Sequence, residues 1–259
     1  MVCRRYAEAL SGCSHVVIPF CGGLSVTALL AETAREIVCN DKHRLAMNFY
    51  GCLADRTLRH ELTERLNQTP FHQELLETAQ RFCKAHTQHH WTDVNAAAHY
   101  FVTAWMGRSG KAGTDSEFTG NLAIRWDASG GASPLRFQTA VRSISEVWGP
   151  ICERCSFLCC DWSDVLAKVK DDPRNGIYCD PPWVTVGDAY VHKFEIADHY
   201  SLATTLRGFR QTKVVLRYGD DPLVRQLYAE GDQWGWHIHE ITSRDQANGD
   251  VSELCITNF

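Results

Sequence analysis

The stretch GIYCDPPWVTV, residues 176–186, runs from a short apolar segment straight into Asp180-Pro181-Pro182-Trp183. Neither proline can donate to a sheet ladder, so a strand that reaches Asp180 has to stop there. What replaces the strand at its tip is a carboxylate, a carbonyl freed from sheet pairing at Pro181, and a large aromatic ring. Two acceptors placed close together can take both hydrogens of an amino group. A neighbouring ring can stack on a planar heterocycle. The combination suits an exocyclic amine on a flat base brought out of its helix.

Working outward, the same rhythm of apolar strand and polar tip recurs. HVVIPF (15–20) ends in the Gly-containing turn CGGLS, a helix-like SVTALLAETAR follows, and EIVCND ends in Asp41. Strand, Gly turn, helix, strand and acid make the opening of a nucleotide-type α/β unit. After residue 150, SFLCCDW, GIYCDPP and KVVLRYG read as strands. DVLAKVK, ADHYSLATTLRGF and DPLVRQLYAEG read as helices between them, and WHIHEI and ELCITNF as a final pair of strands.

Between these two α/β portions the pattern changes. Residues 42–107 show apolar residues at three- and four-residue spacing, as in KHRLAMNFYGCLADRTLRHELTERL and WTDVNAAAHYFVTAW, which predicts helices. Residues 108–150, which include most of GRSGKAGTDSEFTGNLAIRWDASGGASP (107–134), are rich in Gly, Ser and Thr and read as loops with one short strand. The chain is therefore expected to be an α/β sheet domain interrupted by a helical and loop-rich insert.

Asp41, Asp161 and Asp180 each follow an apolar strand-like run. In an open parallel sheet the strand ends share one crevice, where ligands bind. One such acid alone would be read as a helix cap. Three of them, beside a Gly turn and a Pro-Pro pair, point to a site. The turn PFCGGLS lets a backbone approach a ligand closely, but G-x-G-x-x-G spacing and a phosphate-gripping G-x-x-x-x-G-K-[ST] are both missing.

Composition narrows the classes. The 259 residues are 44% hydrophobic, enough for one sizeable core with an insertion. There is no apolar run of the ~18 residues that a membrane span needs. MVCRRYAEALSGC has no signal-peptide core, so a cytoplasmic protein is expected. In that compartment the 12 cysteines read as reduced core residues. Cys152, Cys155, Cys159 and Cys160 lie close in sequence, as do Cys83, His86, His89 and His90. Both groups are read as packing or surface residues, and no metal is expected. The net charge of −5 excludes a uniformly basic nucleic-acid binder but allows a local basic face. Within 108–145, Arg108, Lys111, Arg125, Arg136 and Arg142 outnumber Asp115, Glu117 and Asp127.

DPPW resembles the DPP-aromatic motif of amino-group methyltransferases that use S-adenosylmethionine, and PFCGG resembles the F-x-G element of their cofactor loop. The order of cofactor loop, insert and DPP-aromatic is similar to that of the Dam-like DNA adenine-N6 methylase family. YVHKFEIADHYSLATTL and KVVLRYGDDPLVRQLY extend the resemblance over roughly residues 15–230. It implies a mostly parallel, Rossmann-like methyltransferase sheet. Residues 1–54 and 151–259 would form the catalytic domain that binds S-adenosylmethionine, and 55–150 an inserted target-recognition region.

By motif position, the resemblance makes Phe20, Cys21, Gly22 and Gly23 the cofactor loop. Asp41 would bind ribose hydroxyls, and Asp161 with Trp162 the cofactor adenine. Asp180 and Pro181, within the catalytic Asp180-Pro181-Pro182-Trp183, would hold the target amino group beside the cofactor, and Trp183 would stack on the flipped base. Tyr190 and Phe194 would face that pocket from its other side, and Arg108, Lys111, Arg125 and Arg136 would meet double-stranded DNA. The implied setting is a restriction-modification or related enzyme in a bacterial or phage-infected cell. RNA adenine methylation, or nucleic-acid binding with weak catalysis, are the alternatives. Three departures from the family pattern stand out. Leu24 replaces a usual glycine and Trp183 a usual tyrosine. The 18 residues before Pro19 contain no Gly-Gly-Lys segment, so Arg4, Arg5 and Tyr6, a homo-oligomer or a partner chain are expected to complete the cofactor site.

Overall fold

The structure is a computed structural model that describes residues 2–88, 92–108, 114, 116–124, 126, 132–184, 192–229, 235–244 and 250–259. Residues up to 41 form α1 (Val2–Ala9), β1 (His15–Ile18), α2 (Ser25–Leu30) and β2 (Glu36–Asn40). The next section holds α3 (Arg44–Ala54), α4 (Arg56–Asn67), α5 (Gln73–Ala85) and α6 (Val94–Met106). It continues through β3 (Gly107–Arg108), β4 (Asn121–Leu122), α7 (Ser133–Ser143), a π-helical turn (Ile144–Trp148), α8 (Gly149–Cys152) and β5 (Cys155–Leu158). The last section holds α9 (Trp162–Leu166), β6 (Asn175–Cys179), α10 (Ile196–Leu206), β7 (Lys213–Gly219), α11 (Pro222–Leu227), β8 (His237–Arg244) and β9 (Asp250–Thr257). No helix among the described residues is long and apolar enough to cross a membrane.

The chain divides into two compact units, one of residues 1–41 and 160–259, the other of residues 42–159. The boundaries expected from the sequence, 54/55 and 150/151, both lie within the second of these.

In the first unit β2, β1, β6, β7, β9 and β8 are neighbours in that order. β1 pairs in parallel with β2 and with β6, and β6 in parallel with β7, whereas β7–β9 and β9–β8 are antiparallel. The register is set by apolar positions: Val17 opposes Val38 and Ile177, Ile177 opposes Val214, and Leu216 opposes Ile256. Ile177, Cys179, Val214, Val215 and Leu216 are fully buried. That explains why these strands read as continuous apolar runs rather than alternating ones: parallel strands are covered on both faces.

The topology decides where a ligand can sit. From β1 the chain moves to β2 on one side and returns to β6 on the other, so the strand order reverses between β1 and β6. The parallel strands all end at one edge. Outside the ends of the two strands that flank a reversal is the crevice where open α/β sheets bind ligands. The Gly turn follows β1 and Asp180 follows β6.

The second unit is helical around α3, α5 and α6, with Cys83, Phe101 and Met106 in its core. Asp55 separates α3 from α4 by accepting from the backbone N–H groups of Thr57 (2.8 Å) and Leu58 (3.0 Å), a helix N-cap. One expectation is overturned. Residues 133–152 are continuously helical rather than loop. Pro134 opens α7, and Phe137, Ala140, Val141 and Ile144 bury one stripe at helical spacing. The Gly/Ser-rich run before Pro134 masked a periodicity that begins only after it.

Candidate active site

Backbone contacts draw the Gly turn against the end of β2. The Cys21 N–H donates to the Asn40 carbonyl (2.9 Å) and the Leu24 N–H to the Cys21 carbonyl (3.0 Å). The Gly22 N–H donates to Asp41 Oδ2 at 3.0 Å. Gly22 has φ +45°, and Leu24 has φ 58° and ψ 16°, both left-handed. That conformation costs a side chain roughly 1–2 kcal/mol. Leu24 tolerates it because the side chain is buried, which offsets about 1.5–3 kcal/mol. So leucine can stand where the family pattern has glycine. A Cβ built on Gly22 or Gly23 would meet nothing within 4 Å: the turn faces open space.

Asn40, which the sequence reading passed over, holds this edge together. Its buried Nδ2 donates to the carbonyls of Pro19 (3.0 Å) and Cys160 (3.1 Å), and its Oδ1 accepts from the Cys160 N–H (3.0 Å). Asn40 thereby links the residue after β1 to the backbone just before Asp161. The only trace in the sequence was a polar residue inside an apolar run, beside the more conspicuous Asp41.

Asp161 caps α9, its Oδ1 accepting from the Ser163 N–H (2.9 Å) and hydroxyl (2.6 Å). Trp162 is buried next to it, with the Phe20 ring 6.3 Å away. Phe194 is also buried and stands edge-on to Phe20 at 5.7 Å. It therefore borders the site through the Phe20 ring, and behind it lies His199, whose Nδ1 is 3.0 Å from the Tyr218 hydroxyl.

Asp180 is the first residue past β6, and its side chain is 29% exposed. Arg217 Nη1 donates to its Oδ2 at 3.2 Å. Burial pushes the Asp180 carboxyl above the ordinary carboxylate range, while Arg217 and a hydrogen bond from Trp183 pull it back. The Trp183 ring lies near the Arg217 guanidinium, 5.6 Å from the ring centre, and against the backbone of Gly219. A Cβ on Gly219 would fall 2.7 Å from Trp183 Cε3, so the ring can lie there only over a glycine. Pro181 is buried and Pro182 half-buried, and together they carry the chain off the sheet.

The sequence reading placed Arg4, Arg5 and Tyr6 near the cofactor. In the structure Tyr6 is completely buried, with its ring 5.6 Å from that of Tyr178, while the exposed Arg4 pairs with Glu8. Phe20, Cys21, Gly22, Gly23, Asp41, Asp161, Trp162, Asp180, Pro181, Pro182, Trp183 and Phe194 all belong to the first unit, the strand-tip residues at one sheet edge. Arg136 belongs to the second, exposed on α7, and the backbone of Arg108 is in β3. Lys111, Arg125, Tyr190, His89 and His90 lie outside the described residues. Trp126, 87% exposed, went unnoticed in the sequence. Among the described residues no group of three or more His, Cys, Asp or Glu side chains is placed to hold a metal. Cys83 is buried 3.5 Å from the Thr103 hydroxyl, and the Cys160 thiol donates to Asn40 Oδ1 at 3.4 Å.

The open space over Gly22 and Gly23, with Asp41 drawn to that turn and Asp161 stapled nearby through Asn40, fits a nucleoside-bearing cofactor. Backbone can approach it closely at the glycines, and carboxylates stand at the strand tips to meet hydroxyl or amino groups.

A model of the D12 class N6 adenine-specific DNA methyltransferase family matches residues 5–246. No curated protein matches the sequence. Among solved structures, SMU.1697c of Streptococcus mutans in complex with SAH is 6% identical, with a TM-score of 0.44 over 99% of this chain and 95% of that one. An rRNA methylase of Streptococcus thermophilus is 9% identical, with a TM-score of 0.38 over 99% and 93%. Likenesses this weak carry no argument about the site, and the family match stands by itself.

Proposed function

The chain belongs to the D12 class of N6 adenine-specific DNA methyltransferases, and from that premise we propose that the target adenine is held by Asp180, Pro181 and Trp183. The enzyme transfers a methyl group from S-adenosylmethionine to the N6 amino group of adenine in DNA. The observation that carries the site assignment is the position of Asp180: past the end of β6, at the strand reversal, with the open Gly turn past the adjacent β1.

S-adenosylmethionine, when bound, supplies an electrophilic sulfonium methyl. Phe20, Cys21, Gly22 and Gly23 would form the floor of its site, Asp41 would meet ribose hydroxyls, and Asp161 with Trp162 would meet the adenine. The amino nitrogen of a target adenine is a poor nucleophile because its lone pair is delocalised into the ring. Accepting its two hydrogens with the Asp180 carboxylate and the Pro181 carbonyl localises that pair on nitrogen. Alignment at attack distance then supplies much of the rate. No covalent intermediate is required, and burial pushes the Cys179 thiol up, away from the thiolate. Trp183, seated on Gly219, offers an aromatic face for the flipped base.

The insert, residues 55–150 on the sequence reading, would provide target recognition on double-stranded DNA, with Arg136 on phosphate or guanine edges. The exposed Trp126 adds an aromatic contact.

Transfer of label from S-adenosylmethionine to unmethylated duplex DNA and to RNA, followed by digestion, tests the assignment. The expected product is N6-methyladenine in DNA. Label confined to RNA would overturn the substrate, and no label in either from folded protein would overturn the activity of this chain alone. Gly219→Ala is expected to unseat Trp183 and lower kcat by about tenfold or more. An unchanged kcat would detach the ring's seat from catalysis.

A further inference from the structure

Arg217 lies on β7, two residues before its end, and its side chain is held from two directions. Nε and Nη2 donate side by side to the carboxylate of Glu253, at 2.8 and 2.7 Å. Nη1 alone turns to Asp180. Register explains the first contact: Arg217 opposes Cys255 on β9, and Glu253 lies two residues along the same strand face. The Glu253 side chain is 3% exposed, and the Tyr6 hydroxyl from α1 donates to its Oε2 at 3.5 Å.

The contacts are unequal in kind. A guanidinium free to choose would grip a carboxylate with two parallel N–H groups. Here Glu253 has that fork, and Asp180 has a single N–H. An ionised carboxylate offers about four lone-pair positions, so the single N–H of Arg217 and the hydrogen bond from Trp183 orient Asp180 and leave it room to accept from an amino group. A forked contact would occupy both of its oxygens.

We propose that Arg217 is a positioning residue for methyl transfer, and that Glu253 withholds its fork so that Asp180 is oriented and ionised without being occupied. The proposal rests on Asp180 being the acceptor of the target amino group. Among the described residues, the titratable groups around Asp180 are Arg217 and Tyr218 on β7, Glu253 on β9, Tyr6 on α1, and Tyr178 and Cys179 on its own strand. Burial pushes the three phenols and the thiol up, so they are neutral near pH 7. Among the described residues, Arg217 and Glu253 are left as the charges that Asp180 feels.

This makes the two partners separable by sign. The test reads the 13C carboxyl resonance of Asp180, identified by its loss in Asp180→Asn, against pH, together with kcat and KM for DNA. Arg217→Met should move the Asp180 titration up by about one unit or more, carrying the acid limb of the pH–rate profile to higher pH. Glu253→Gln should move it down, because Arg217 is then free to fork onto Asp180. Both should lower kcat by about tenfold or more with KM little changed. Arg217→Lys, which keeps the charge and loses the fork, should restore the titration more than the rate.

Arg217→Met leaves Glu253 buried without its cation, so Arg217→Met/Glu253→Gln serves as the second variant. It too should titrate above wild type. Asp180 titrating in place in all the folded variants, or kcat unchanged in Arg217→Met, would overturn the proposal. The resonance reports on Arg217 even if Asp180→Ala retains activity, an outcome that would instead overturn the reading of Asp180.

Discussion

Asp180→Ala is expected to lower the rate of N6 methylation by about 10³-fold, with the fold retained. On the proposed assignment the Asp180 carboxylate, at the end of β6, is the acceptor of the amino group. Arg217 keeps its forked contact with Glu253, so removing Asp180 strands no buried cation and the melting temperature should stay close to wild type. Asp180→Asn is the sharper comparison. Its amide oxygen can still accept one hydrogen, so a smaller loss, about 10- to 100-fold, is expected. The pH dependence follows from the ionised form being the working one. Burial raises the Asp180 carboxyl and Arg217 opposes that rise. Activity should therefore be present above its folded-state value and fall as the pH drops through it. Single-turnover methyl transfer on a duplex substrate, with circular dichroism on each variant, checks this. A folded Asp180→Ala that keeps a tenth of the rate or more would show the acceptor to lie elsewhere.

The second large effect is on stability. Asn40→Leu is close to isosteric but deletes both donors and the acceptor that tie Pro19 and Cys160 to the end of β2. Three buried or partly buried backbone groups lose their partner, at roughly 1 kcal/mol each. A loss of about 3 kcal/mol is expected, which in a chain of this size corresponds to a melting temperature lower by about 6–12 °C. The Gly turn should loosen with it, because the residue after β1 and the segment before Asp161 are then no longer joined. S-adenosylmethionine affinity, measured by calorimetry, should fall in parallel. A melting temperature within about 2 °C of wild type would mean that water or a neighbouring group takes over these contacts.

Much of the first unit was legible in the sequence because its signals are local. β1, β2, β6 and β7 were visible as apolar runs, since strands buried on both faces carry no polar alternation. The Gly turn and the Pro-Pro pair announced where two of those strands stop, by what glycine and proline permit the backbone to do. α7 escaped because its apolar stripe begins directly after a Gly/Ser-rich run whose composition dominated the reading.

The sequence by itself thus determined the strands, the breaks between them and the residue types at their tips, including the DPPW motif and the family it resembles. The tertiary structure decided which side chains those tips meet. Arg217 reaches Asp180 across 37 positions, and Asn40 reaches Cys160 across 120. Nothing in either local sequence marks its partner. Such pairs are set by strand order and ladder register, which arise when the whole sheet closes its core. A one-residue slip in β9 would turn Glu253 to the other face of the sheet and away from Arg217.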